Sequence, residues 1–378
     1  MSTVVPQGPK PGYDRSRDES LAARLRDIFG IRWLSLILAI LLVQLGFIAS
    51  YVGAFHDPRP QQLQVTVISN HNWQEYVANQ LNKISGQPVW AYAESNETTA
   101  TQDLKSGKRQ GVYVFDPQGD TDKLLIATST GSSNAAAIEL IFTKVAADKD
   151  RQLVVQDVAP VQAGDNRGLT GFYLVVGWLV GGYLMASMVG VIRGGRARNW
   201  RRMLWRLVLC AGYGVVSGLL GALIVDTWLG ALTGHFWQLA LLGAVVSMTA
   251  SIVTMGLSAV FGVIGVGVSI LLFVVLGNPS AGGAFNYGLL PQPWRFIGQW
   301  LPNGAGVDAV RSIVYLDGEG LGFHYLVLAW WLALGLLLFL AAANNTYWGF
   351  RRPDLIPARS GGARHATADG RHAAAEDD

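Results

Sequence analysis

The sequence predicts an α-helical polytopic membrane protein with six transmembrane helices, arranged one plus five, and an inserted extracytoplasmic α/β domain. Three observations predict it: a single apolar run near the start, a water-compatible stretch over 56–170, and five more apolar runs set closely together. Composition agrees with a chain solvated by lipid, since 51% of residues are hydrophobic, only 15% are charged and 45 are glycine. The net charge of +3 needs no nucleic-acid partner, because basic loops facing anionic lipid account for it.

The leader, 1–30, is polar, and DESLAARLRDIFGIRW (18–33) places Leu21, Leu25, Ile28 and Phe29 on one helical face with Arg24 and Arg26 elsewhere. That pattern predicts an amphipathic helix lying in the membrane interface. The first transmembrane helix, 31–55, carries no charge after Arg32. At 1.5 Å per residue it is long enough for a hydrocarbon core of roughly 30 Å. A secretory signal peptide has a shorter apolar region with a small-residue cleavage site behind it, so an uncleaved signal anchor is expected here.

Within 56–170 the hydrophobic period switches repeatedly. Strands are expected at LQVTVIS (63–69), PVWAYAES (88–95), GVYVF (111–115), KLLIATS (123–129) and LVVQDV (153–158), and helices at 73–84, at 98–107 with Gly107 as the stop, and at 133–147 capped by Ser132 or Ser133. Alternating strands and helices imply an α/β domain whose first three strands run parallel. His71, Glu75, Asp103 and Asp120 are scattered through it without metal spacing or a visible nucleophile and base pair, and they read as solvated polar residues. The sequon Asn96-Glu97-Thr98 is a frequent chance pattern and carries no weight. The single cysteine, Cys210, falls in the third apolar run, so the α/β domain is held by its core and not by a disulfide.

The membrane domain, 171–345, contains runs at about 171–192, 207–229, 237–257, 262–276 and 325–343. The fourth and fifth helices are expected to form a tight hairpin turning at the small residues around Ser258 and Ala259. Gly177 and Gly181, and Gly214, Gly218 and Gly221, have the spacing that lets helix backbones approach closely, within the bundle or in a dimer. Asp226 is the one acidic residue in an apolar run of this block; it reads either as a polar pathway site at membrane depth or as an interfacial residue near the outer helix end. The segment 277–324 is rich in Gly and Pro yet apolar, so part of it should fold back into the membrane or onto the bundle.

Most of the 29 lysines and arginines cluster before the first helix, between the second and third, and after the sixth. The positive-inside rule places those stretches, and both termini, in the cytoplasm and 56–170 outside a cell membrane. The middle cluster, RGGRARNWRRMLWR (193–206), offers Arg196, Arg198, Arg201, Arg202 and Arg206 with Trp200 and Trp205 as a lipid anchor or as a surface for a cytoplasmic partner. The tail, 346–378, is poor in large apolar residues and is expected to be disordered, its His365 and His372 too sparse for a metal site. No P-loop or GxGxxG occurs, so the chain is not expected to hydrolyse ATP itself, and no cofactor or catalytic constellation is expected either.

Several of these pieces, in this order, resemble the permeases of type 2 ABC exporters, in the branch that includes the phage infection protein (Pip/YhgE) family and fungal nitrosoguanidine-resistance membrane proteins. The resemblance rests on LKSG followed by QGVYVFDP, on VQDVAPVQAGDNRGLTGFYLVVGW with Asp157, Pro160, Asp165, Gly168 and Phe172, and on FGVIGVGVSILLFVVLGNPSAGG with LLPQPWRFIGQWLPNGAGVDAVRSIVYLDG. It implies a coupling segment at 193–206 and re-entrant outer helices at about 290–315, with Pro291, Trp294, Pro302 and Arg311 in that loop. It also implies a homodimer, or a heterodimer with a homologous permease, flanking a path for a hydrophobic or amphipathic substrate, while a separate ATP-binding subunit hydrolyses ATP. The dense arginine of 193–206 departs from that pattern. The alternative expectation is a non-transport scaffold or receptor acting through the α/β domain, as a secretion-system accessory or a phage receptor would.

Overall fold

The apolar runs are helices in the computed structural model, which describes residues 31–70, 73–194 and 200–343. The interfacial helix expected at 18–29, Arg196, Arg198 and the tail 346–378 lie outside the described residues. Six helices are long and apolar enough to cross a membrane, as a membrane-embedded, multi-pass protein requires. Their outward surface agrees, with Leu34, Ile40, Leu42, Val191 and Val263 all exposed.

Helix α1 spans Ile31–Phe55, and a sheet layer follows before the remaining helices. It comprises β1 (Leu63–Ser69), α2 (Gln74–Leu81), β2 (Val89–Ala93), α3 (Glu97–Lys105), β3 (Gly111–Phe115), β4 (Thr121–Ile126), α4 (Thr128–Ala147) and β5 (Gln152–Asp157). The strand order is β2-β1-β3-β4-β5; β1 is parallel to β2 and β3, β4 is antiparallel to β3, and β5 is parallel to β4. The first three strands are thus parallel, as their intervening helices predict.

Alternation along the strands builds a core on each face. Leu63, Val65 and Val67 with Tyr113, Leu124 and Ile126 pack on α2 and α4, which contribute Ala78, Leu81, Ile138 and Phe142. Ile68, Val112 and Leu125 pack on Ala100 and Leu104 of α3. Asn96 caps α3, its Oδ1 accepting from Thr98 N at 2.9 Å and Thr99 N at 3.2 Å, so the sequon pattern is here a helix start.

Two expectations for this layer are corrected. β4 ends at Ile126, short of the expected 129, because Thr128 already starts α4. A single turn, Thr128–Thr130, precedes a break at Gly131, after which the long part of α4 starts about where expected and runs on to Ala147. Neither Ser132 nor Ser133 caps it: Ser132 Oγ donates to Thr128 O, and Ser133 Oγ donates to Asn286 Oδ1.

The five-helix block consists of α5 (Thr170–Arg193), α6 (Trp200–Ala222, continued by a π-helical stretch Leu223–Trp228) and α7 (Phe236–Phe261). It is completed by α8 (Val263–Ile270, continued by a π-helical stretch Leu271–Leu276 and a last turn Gly277–Ser280) and α11 (Leu321–Ala343). Between α8 and α11 lie two shorter helices, α9 (Trp294–Gly298) and α10 (Pro302–Tyr315). α7 is the central helix, packed by α5, α6, α10 and α11, and it is the most buried of the six. Gly214 and Gly218 let α6 approach it so closely that an added Cβ on Gly214 would sit 2.7 Å from Ala244 O.

The α7–α8 hairpin turns at Gly262, whose φ of 65° lies in the left-handed region that glycine alone enters without penalty. The expected turn at Ser258 and Ala259 is corrected, since both are buried inside α7. Small residues there serve helix packing and not chain reversal.

Candidate functional site at the sheet end of the bundle

The sheet layer sits against one end of the bundle, where the chain segments 160–170, 229–236 and 281–301 and helix α10 converge. Helix α10 is the organising element. Its Pro302 stands in the first turn, where a missing N–H is harmless, and most of its residues are buried among α5, α7 and α11. This segment packs on the bundle as its apolar composition predicts.

Polar ties join that helix and the turn before it to their surroundings. Tyr315 donates to Asp165 Oδ2 at 2.9 Å, and the other oxygen of this buried carboxylate accepts from Thr170 N and Thr170 Oγ1 at 2.9 and 2.7 Å. Asp165 therefore caps the start of α5 while anchoring the end of α10. Arg311 donates to Asp308 Oδ1 at 2.7 Å and, at 3.3 Å, to Gly282 O; Tyr287 donates to Asp308 Oδ2 at 3.0 Å. Asn286 accepts from Ser133 Oγ at 2.7 Å and returns a bond from its own N–H to that hydroxyl at 2.9 Å, tying the 281–290 turn to α4.

Burial pushes the Asp308 carboxyl up from its ordinary value, against the pull of Arg311. Burial also pushes the phenols of Tyr287 and Tyr315 up, with the charges of Asp308 and Asp165 adding to it. Both tyrosines consequently stay protonated and act as donors.

These ties frame a cavity of about 300 Å³ under the sheet layer. Phe172, Leu232, Val307 and Val310 make its apolar wall, and Arg167 and Arg311 are the charged residues of its lining. Ser129 is buried and its Oγ has no hydrogen-bond partner. The cavity suits a guest with apolar and polar parts. Among the described residues no group of three or more His, Cys, Asp or Glu is placed to hold a metal ion.

The sites named from sequence fall at both ends of the molecule. Arg311 lies in the cluster just described, and Trp294 lies beside it on α9, its Nε1 donating to Ser50 Oγ of α1 at 3.0 Å. Pro302 starts α10, and Pro291 stands before the turn into α9. Asp226 is in the π-helical end of α6, half-buried, with Oδ2 accepting from His235 N at 3.2 Å, so it holds the α6–α7 turn at the sheet end of its helix.

At the opposite end, Arg201 and Arg202 are exposed beside exposed Trp200 and Trp205, whereas Arg206 turns inward. Arg206 Nη2 donates to Arg193 O at 3.2 Å and Gly194 O at 2.7 Å, and so closes the last turn of α5. Asp165, Asp308, Tyr287 and Asn286 were not named as site residues because their partners are far away in sequence. A signal did exist for Asp308 and Arg311, whose i, i+3 spacing in VDAVR allows an ion pair on one helical face.

Compared with protein-family models, curated proteins and solved structures, the chain matches none of them, so its geometry carries the functional reading.

Proposed function

We propose that this chain is a membrane permease subunit, of the type 2 ABC exporter kind that its motifs resemble, which moves a hydrophobic or amphipathic substrate while a separate subunit hydrolyses ATP. The observation that carries this reading is the stance of α1. Its second half packs on α8 and α9, through Gly46 beside Val275, Ser50 and Gly53 beside Trp294, and Phe55 beside Phe285. Its first half, from Leu34 to Leu45, presents large apolar side chains outward. In this reading a substrate with an acyl or aromatic part enters sideways from the lipid along that outward apolar face. The cavity under the sheet layer, part apolar and part polar, is the compartment such a substrate reaches next. In this reading the sheet layer is extracytoplasmic, Arg201 and Arg202 meet the ATP-binding subunit in the cytoplasm, and a second permease copy or a homologue completes the path.

The test is purification of the tagged protein from its native membrane in a gentle detergent, with mass spectrometry of the proteins retained. An ATP-binding subunit is expected, lost when Arg201 and Arg202 are both changed to Glu. Retention of secretion or envelope-assembly proteins without any ATPase would replace this reading with the scaffold one. One observation favours that alternative: Trp73 and Tyr76 are exposed on the sheet layer, with their rings 5.6 Å apart edge to face, as a protein-binding surface would have them.

A further inference from the structure

A second, half-open cavity of about 230 Å³ adjoins the first and shares Arg311 and Asn286 with it. Its walls differ in kind. Of fourteen lining residues seven are Gln or Asn, two are Arg, and none is Asp or Glu. They come from several parts of the junction: Gln61 from before β1 and Gln64 from β1, Gln110 from before β3, Asn134 from α4, Arg295 from α9 and Gln299 just after it, and Arg311 from α10.

One charged group on this wall has unspent hydrogen-bonding capacity. The half-buried Arg295 has no carboxylate partner among the described residues, and its Nη1 reaches only Gln61 O and Gln61 Oε1, both at 3.4 Å. A guanidinium has five N–H donors in a planar fork suited to carboxylate or phosphate oxygens. A ligand completing it brings anionic oxygens to Arg295. The amides around it donate and accept alike, as recognition of hydroxyl groups requires. The volume is that of on the order of eight water molecules, about the size of a phosphorylated glycerol and too small for a whole lipid.

We propose that this cavity is a binding site for a small hydroxylated anion, a phosphorylated polyol, supplied either free in solution or as the headgroup of an anionic lipid. This goes beyond the transport reading and holds equally for a scaffold. Since the walls join the sheet layer to α9 and α10, ligand in the cavity fastens the two together.

The test uses the full chain and its thermal unfolding midpoint, which rises with any ligand that binds the folded state alone. Soluble probes are glycerol 3-phosphate and uncharged glycerol, added in detergent. The lipid arm compares nanodiscs of phosphatidylcholine with nanodiscs containing phosphatidylglycerol. A concentration-dependent rise with glycerol 3-phosphate but not glycerol assigns the free source. A rise only in phosphatidylglycerol discs assigns the lipid headgroup.

In either case the apparent affinity should fall at least tenfold in Arg295→Gln and by less in Arg295→Lys, which keeps the charge and loses the fork. Gln299→Glu changes an exposed side chain, so folding is not at stake, and it should weaken binding by setting a negative charge on the wall. No rise with either phosphate-bearing probe, an equal rise with glycerol, or unchanged binding in either Arg295→Gln or Gln299→Glu overturns the proposal.

Discussion

Asp122 carries more of the sheet layer's polar order than any other single side chain. It is 1% exposed, accepts from Arg151 Nε and Nη2 at 2.7 and 2.8 Å, and also accepts from Tyr113 OH at 2.6 Å and Asp116 N at 3.1 Å. Removing one member of a buried ion pair costs about 3–5 kcal/mol, most of it from the charge left behind. Asp122→Ala should fall at the low end, about 3 kcal/mol, because Arg151 keeps 18% of its side chain in water. Thermal unfolding of Asp122→Ala, Arg151→Met and the double variant checks this; the double variant should lose less than the sum of the two singles. Ser50→Ala should cost about 1–3 kcal/mol by orphaning the Trp294 N–H, read as a lower midpoint in the same assay. None of these partnerships is legible in sequence. Asp122 and Arg151 are 29 positions apart and Ser50 and Trp294 are 244 apart, and only the folded register joins them.

Among the elements, the α6–α7 contact is the most extensive between any two helices, and it depends on the absence of side chains at Gly214 and Gly218. Gly218→Leu must push the helices apart, because its Cβ would run into Ala240 O and Ala244 N of the α7 backbone. Overpacking of this kind costs roughly 1–3 kcal/mol. The expected result is a lower unfolding midpoint, with Gly212→Leu, at a position open to space, close to wild type. The six long helices were legible because long apolar runs with few or no charges have the composition of a membrane span. The turn of the α7–α8 hairpin was not legible because Gly262, at a φ of 65°, and not the small residues around Ser258, reverses the chain. The cavities were not legible, because each draws its walls from distant segments.

For the whole molecule, the arrangement makes the membrane orientation testable with unusual economy. Cys210 is the only cysteine and is fully buried, so the native chain offers little background to thiol labelling. If the sheet layer is extracytoplasmic, Asp150→Cys should react with a membrane-impermeant maleimide in intact cells, and Arg202→Cys only after permeabilisation. The reverse pattern would invert the proposed topology and remove Arg201 and Arg202 from any cytoplasmic contact. Charge asymmetry made that orientation readable in the sequence as an expectation, since basic stretches resist translocation. The stance of α1 was not readable, because a helix that meets lipid all round and one packed along half its length have the same apolar composition.

The π-helical stretch Leu271–Leu276 in α8 leaves Phe273 O free to accept from Asn303 Nδ2 at 2.9 Å. A π turn accommodates roughly one residue more than an α turn over the same arc. Deleting one residue there would therefore restore a regular helix while leaving the faces before and after it in their original directions. A deletion elsewhere in α8 would instead rotate everything downstream by about 100°. The widened turn is thus a place where α8 tolerates a change in length, with the contacts at stake being Phe273 with Asn303 of α10 and Tyr183 of α5, and Val275 with Gly46 of α1.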